Sequence, residues 1–138
     1  VYPQLKRLEA QGYITHEITI SGEKLEKKLY HIAPAGQVAL TAWITAGTPE
    51  LTATKDEFIL KLYFVRTNRD PRLPEMLTEQ LHLHQDKLDH LQQRLTTVFP
   101  TKASQAENFG HYLILQHALG RETDYVTWLK QTLAALPK

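Results

Sequence analysis

The chain has 138 residues, 42% of them apolar and 22% charged, which is one ordinary domain's worth of sequence and excludes wholesale disorder. Sixteen Lys and Arg against fifteen Asp and Glu leave a net charge of +1, too little for a histone-like polycation but compatible with a local basic patch. No cysteine is present, so disulfide scaffolds, thiolate zinc sites, iron–sulfur clusters and Cys nucleophiles are excluded.

The first element predicted is a short amphipathic helix over residues 1–12. Val1, Leu5 and Leu8 recur at helical spacing, Lys6, Arg7 and Glu9 lie on the other arc, and Gly12 supplies a C-terminal stop. The period then changes to two. Ile14, Ile18 and Ile20 alternate with Thr15, Glu17 and Thr19, Ser21-Gly22 signals a turn, and residues 25–32 return as a second strand. Pro34 fits the first turn of a helix running through Leu40, Trp43 and Ile44 to about Gly47.

Helices are predicted for the remainder. Thr54-Lys55-Asp56-Glu57 has the pattern of a capping box and leads into the run from Phe58 to Val65, apolar nearly all round and therefore expected to be buried on most sides. A long helix over about 74–99 follows the break at Asn68 to Pro71. Ser104-Gln105-Ala106-Glu107 reads as a second capping box, opening a last helix to about Leu136. Both long helices carry heptads: Leu77, Leu81, His84, Leu88, Leu91, Leu95 and Val98 in one, and Leu115, Leu119, Glu122, Val126, Leu129, Leu133 and Leu136 in the other. Two such seams exceed what so small a chain is expected to cover by itself. A homodimer through Leu77, Leu81, His84, Leu88, Leu91, Leu95, Leu129 and Leu133 is the expectation.

The first 32 residues are helix, strand, turn, strand, with cations on the helix (Lys6, Arg7) and around the turn (Lys24, Lys27, Lys28). A winged helix uses cations in these two places, one set for the major groove and one for adjacent phosphates. Glu9, Glu17, Glu23 and Glu26 nearly cancel them, so the pattern alone also permits a charged hairpin of no function. The residues from Val1-Tyr2-Pro3-Gln4-Leu5-Lys6-Arg7-Leu8-Glu9 to Gly12 resemble the recognition-helix segment of the PadR family of bacterial transcriptional regulators. Lys28-Leu29-Tyr30-His31-Ile32-Ala33-Pro34-Ala35-Gly36 is similar to that family's second wing strand and the helix start after it. Leu40 and Trp43, the segment from Asp56 to Phe64, and Trp128-Leu129 continue the resemblance along the chain.

The resemblance implies a mainly α fold with a small β-hairpin: a partial winged helix-turn-helix over 1–47 and a helical, coiled-coil-like dimerisation domain over 48–138. It implies a repressor that binds double-stranded operator DNA as a homodimer, with Tyr2, Pro3, Lys6 and Arg7 as helix contacts and Lys24, Lys27 and Lys28 as wing contacts. A small aromatic effector is expected in a pocket between the two parts, at Trp43, Phe58, Tyr63 and Phe64, side chains otherwise read as core. The family carries two helices before the recognition helix, and the chain opens at Val1 without Met, so the chain is expected to be N-terminally incomplete. Leu5 and Leu8 would pack on those helices. Ala33 stands where the family has Thr, which forfeits a capping side chain worth about 1 kcal/mol. The rival expectation is a helical dimerisation or scaffold module that does not bind DNA.

Chemistry other than binding finds little support. His82, Asp86 and His90 share one helical face, but without a third tight ligand and an apolar surround the default is a solvated polar face. His84, on the seam, is expected to be packed or hydrogen-bonded and to make the seam respond to pH; Glu122 is either a specificity device or solvated at a loose layer. No Gly-x-Ser-x-Gly, P-loop or Gly-x-Gly-x-x-Gly motif occurs. No apolar run approaches the ~18 residues of a membrane span and no signal-peptide pattern opens the chain. No enzyme, metal, cofactor or membrane contact is expected, and the expected location is the cytoplasm.

Overall fold

The structure is a computed structural model that describes residues 3–22 and 25–138. The chain divides into two compact units, Val1–Ala53 and Thr54–Lys138.

In the first unit, α1 (Pro3–Ala10) is followed by the antiparallel pair β1 (Ile14–Ser21) and β2 (Leu25–Ile32), and then by α2 (Pro34–Thr45). Helix α1 stops for a local reason. Gly12 takes φ +81°, and the amides of Gly12 and Tyr13 turn back to the carbonyls of Glu9 and Leu8, closing a Schellman motif that favours a residue tolerant of left-handed backbone. Helix α2 begins with Pro34 in its first turn, and its N-cap, Ala33, supplies no side-chain bond. The Ala33 amide donates instead to the Tyr13 carbonyl at 2.9 Å. That carbonyl also lies against Gly36, where an added Cβ would come within 2.0 Å of it. Gly36 is buried because the helix start and the Tyr13 backbone touch there.

The second unit is helical: α3 (Glu57–Leu62), α4 (Leu73–Val98), α5 (Lys102–Glu107) and α6 (Phe109–Ala135). Helices α4 and α6, each roughly 40 Å long at 1.5 Å per residue, pack as an antiparallel pair. Their heptad stripes face each other. Leu77 is 1% exposed and Leu129 0%, with Leu88, Leu115 and Val126 also buried. Phe58 of α3 and Leu73 join Leu77 and Leu129 in one cluster, flanked by Leu62, Val65, Met76, Leu81, Leu133 and Leu136. At the far end Phe99 is closed in by the rings of His111 and Tyr112, at 5.0 and 5.6 Å between centroids.

Four expectations change. The seam assigned to a second copy is filled within one chain, since two facing leucine stripes on a helical hairpin cover each other: Leu77, Leu88 and Leu129 are buried, and Leu81, His84, Leu91, Leu95 and Leu133 are half-buried. The apolar run after Asp56 is not buried on most sides. Phe58 alone is fully buried and Leu62 and Val65 are half-buried against the core, while Ile59, Leu60, Tyr63 and Phe64 are exposed. The cap of α3 is Asp56 instead of Thr54, its carboxylate accepting from the Ile59 amide at 3.2 Å. The second capping box is Thr101 with Ser104, opening the short α5, and the long last helix starts afresh at Phe109.

Candidate nucleic-acid interface

Helix α1 places Lys6 and Arg7 in solvent on the arc away from Leu5, with Pro3 one turn before them. Neither cation has an ion-pair partner among the described residues. Tyr2 and Lys24 lie outside the described residues. On the ribbon, Thr19 stands opposite Lys27 and Ile18 opposite Lys28. Consecutive strand residues point to opposite faces, so Lys27 shares its face with Thr15, Glu17, Leu29 and His31, and Lys28 shares the other with Ile14, His16, Ile18 and Tyr30. The two lysines therefore leave the ribbon from opposite faces. Two glutamates expected to oppose the cations are occupied. Glu9 is hydrogen-bonded to His16 Nδ1, and Glu17 lies 3.2 Å from His31 Nε2. Sequence reasoning missed both histidines, although the alternation that puts Glu17 diagonal to His31 was legible.

The four aromatic residues expected to form an effector pocket sit in different surroundings. Trp43, 75% exposed, borders an apolar groove of about 310 Å³ in the first unit, with Leu8, Tyr13, Ile32 and Leu40. In the second unit Phe58 is core. Tyr63 and Phe64 are 88% and 70% exposed, so neither they nor Trp43 is core as expected.

A second polar cluster lies in the helical unit. Glu122 is 2% exposed in the middle of the seam, and its carboxylate is hydrogen-bonded to His84 Nδ1. Lys87 and Arg121 approach the other carboxylate oxygen at 3.5 and 3.6 Å. The His84 ring stacks on Tyr125 at 3.8 Å, and the Tyr125 hydroxyl donates to Asp56 at 2.7 Å. Desolvation pushes the Glu122 carboxyl up, but the His84 hydrogen bond and the charges of His84, Lys87 and Arg121 together outweigh it and hold it below its ordinary value. Tyr125 is pushed up, first by burial and then by its bond to Asp56. Both seam residues are thus partners in one network, and neither is loosely solvated. His82, Asp86 and His90 are exposed, and no three potential metal ligands converge among the described residues.

The comparisons with known proteins agree with this arrangement along the whole chain. Residues 1–42 match the "Transcriptional regulator PadR-like family" model, and residues 54–137 match "Virulence activator alpha C-term". The "Negative transcriptional regulator PadR" of Bacillus subtilis is 38% identical over 141 residues, covering 100% of this chain and 78% of that protein.

The chain belongs to the PadR-like family of transcriptional regulators.

Among solved structures, Bacillus subtilis PadR in complex with operator DNA matches with a TM-score of 0.83 at 38% identity, covering 99% of this chain and 77% of that one. The same regulator in complex with p-coumaric acid matches at 0.76 and 33% identity, covering 99% and 76%. The two family models fall on the two units, so the PadR-like segment contains α1, the ribbon and most of α2, and the virulence-activator segment contains the α4/α6 pair. Among the described residues no helix is long and apolar enough to cross a membrane.

Proposed function

We propose that this PadR-like chain is a DNA-binding repressor that works as a homodimer and is released from its operator by a small aromatic effector. The observation that carries the reading is the solvent-facing pair Lys6 and Arg7 on α1 beside a projecting ribbon, in a chain 38% identical along its length to a negative regulator solved with operator DNA. Pro3, Lys6 and Arg7, with Tyr2, contact the duplex through the helix. Lys27 and Lys28, with Lys24, serve the ribbon, one face each. A second copy is expected to cover apolar side chains that the helical unit leaves outside, such as Leu60, Tyr63, Phe64 and Ile114. The aromatic effector follows from the relative solved with p-coumaric acid. The reading assigns no reaction to the chain, and a regulator that meets its operator directly works in the cytoplasm.

Selection of duplexes from a random library tests it. The expected product is a two-fold symmetric site whose halves are about one helical turn or a multiple apart, because paired recognition helices dictate that spacing. Failure of the full-length protein to enrich any duplex, with its fold intact, overturns the repressor reading and leaves a helical scaffold module.

A further inference from the structure

Little packing fixes helix α1 against the ribbon. It has no buried residue: Leu5 is half-buried and Leu8 exposed. Backbone bonds close its end at Gly12 and Tyr13, but beyond the chain neighbours nothing lies within 4 Å of where a Gly12 Cβ would stand. No side chain braces that joint. Among the described residues one side-chain hydrogen bond joins the helix to the strands: His16 Nδ1 of β1 donates to the Glu9 carboxylate. A carboxylate only accepts, which puts the proton on Nδ1.

Two features set this bond apart from the ribbon's other histidine–glutamate pair. His16 and Glu9 are 29% and 33% exposed, against 54% and 59% for His31 and Glu17. A partly desolvated bond is screened less by water and salt than an exposed one. Tyr30, opposite His16 on β2, also sets its ring 5.7 Å from the imidazole, within the range of packed aromatic rings. Glu9 is thus bonded to a ring that both strands hold. It stands in the last turn of α1, three residues after Lys6 and two after Arg7, so the bond fixes the roll of the face that carries them. A roll of about 20° would move a side-chain tip by about 2 Å, at a radius of roughly 5–6 Å from the helix axis. That exceeds the window of about 0.5 Å within which a hydrogen bond to a phosphate is made.

We infer that Glu9 and His16 are a positioning pair, whose bond sets the roll of α1 on the ribbon and so aims Lys6 and Arg7 at the duplex. The inference rests on the repressor reading proposed above and adds to it two residues that act through those cations. Charge alone gives Glu9 the opposite part, since a carboxylate on the reading helix repels phosphate and its removal should tighten binding. The two roles differ in sign.

The test uses the full-length protein with Glu9→Gln, Glu9→Ala, His16→Phe and Glu9→Ala/His16→Phe. Glu9→Gln and Glu9→Ala remove the same charge, but only the first keeps an acceptor for His16. His16→Phe keeps a ring beside Tyr30 without the donor. Alanine is the better helix former, so Glu9→Ala does not weaken α1 itself. On one selected duplex, at a temperature where circular dichroism shows every variant folded, Glu9→Gln should bind at least as tightly as the unaltered protein. Glu9→Ala and His16→Phe should each bind about fivefold weaker or more, and the double variant no weaker than the weaker single one. Equal affinity of Glu9→Gln and Glu9→Ala overturns the inference, and so do losses that add in the double variant. Residual dipolar couplings of the free protein read the direction of α1 on the ribbon without DNA. They should be kept in Glu9→Gln and change in Glu9→Ala and His16→Phe; unchanged couplings in all three overturn the inference. If no duplex is bound, changed couplings uphold the tie and defeat the repressor reading instead.

Discussion

The two units of this chain are held together by different means. The helical unit buries Phe58, Leu73, Leu77, Leu88, Phe99, Leu115, Val126 and Leu129 by itself, because each leucine stripe is the other's solvent-excluding partner. The first unit buries only Gly36 among its described residues and leaves Ile18, Ile20, Ile32, Trp43 and Ile44 at or near half exposure or beyond. Its order comes from backbone bonds: the ribbon ladder, the Schellman closure and the tie from Ala33 to Tyr13. A two-stranded ribbon has marginal stability alone. The unit proposed to read DNA is thus the one with almost no buried core of its own, while the helical unit closes its own core.

The largest effect that would sharpen this contrast is in the seam. Leu129→Ala is expected to cost about 2–5 kcal/mol, as large-to-small changes at fully buried leucines do. Chemical denaturation should show the loss in the helical unit. An effect below about 1 kcal/mol would mean that the two stripes do not depend on each other. Gly36→Ala comes next, since its Cβ must displace the Tyr13 carbonyl. About 1–3 kcal/mol is expected, confined to the first unit, with duplex binding weakened and the helical unit's unfolding midpoint unchanged.

The buried pair divides the contrast more finely. His84→Leu leaves Glu122 with only its two longer contacts and should destabilise the helical unit by about 1–3 kcal/mol. Adding Glu122→Leu should restore stability to the starting value or above it, since an apolar layer then replaces the pair. The pH dependence follows from the depressed Glu122 carboxyl. Its unfolded form titrates at the ordinary 4.5 and its folded form lower. The stabilisation is therefore fully present above about 4.5 and is lost as pH falls through the folded value. Glu122→Gln should flatten that acid limb in unfolding midpoints measured from pH 7 to 3.

The smallest expected effect is outside both cores. The Arg72 side chain and backbone amide both donate to Asp70 and hold its carboxyl down to about 2. Arg72→Gln should return it toward 3.8 in an NMR titration without a measurable change in unfolding.

What was legible in the sequence was local or periodic. The Gly12 stop, the two strands around Ser21-Gly22 and the heptad phase of both long helices follow from spacing, and all are present. What was not legible depended on distant partners. Thr54 and Asp56 both offer caps to α3, and Asp56 also accepts from Tyr125, 69 residues away, which no local pattern reveals. Thr101 caps α5 although Ser104 begins the better-looking motif, because Ser104 serves as the reciprocal partner three residues in. The heptads announced an apolar face and left its partner open, since the same stripe serves a second copy or the neighbouring helix. At the ribbon, the alternation implied that Lys27 and Lys28 diverge, whereas counting charges had grouped them.

The role of the α1 cations is decided by the salt dependence of binding to one selected duplex, measured for the full-length protein and for its Lys6→Gln/Arg7→Gln variant. Removing one phosphate-binding cation should make the slope of log K against log salt less negative by about 0.9. With the fold intact, a slope shallower by about 0.9 to 1.8 is expected. An unchanged slope and affinity would contradict that role, since the cations of α1 would then not face DNA.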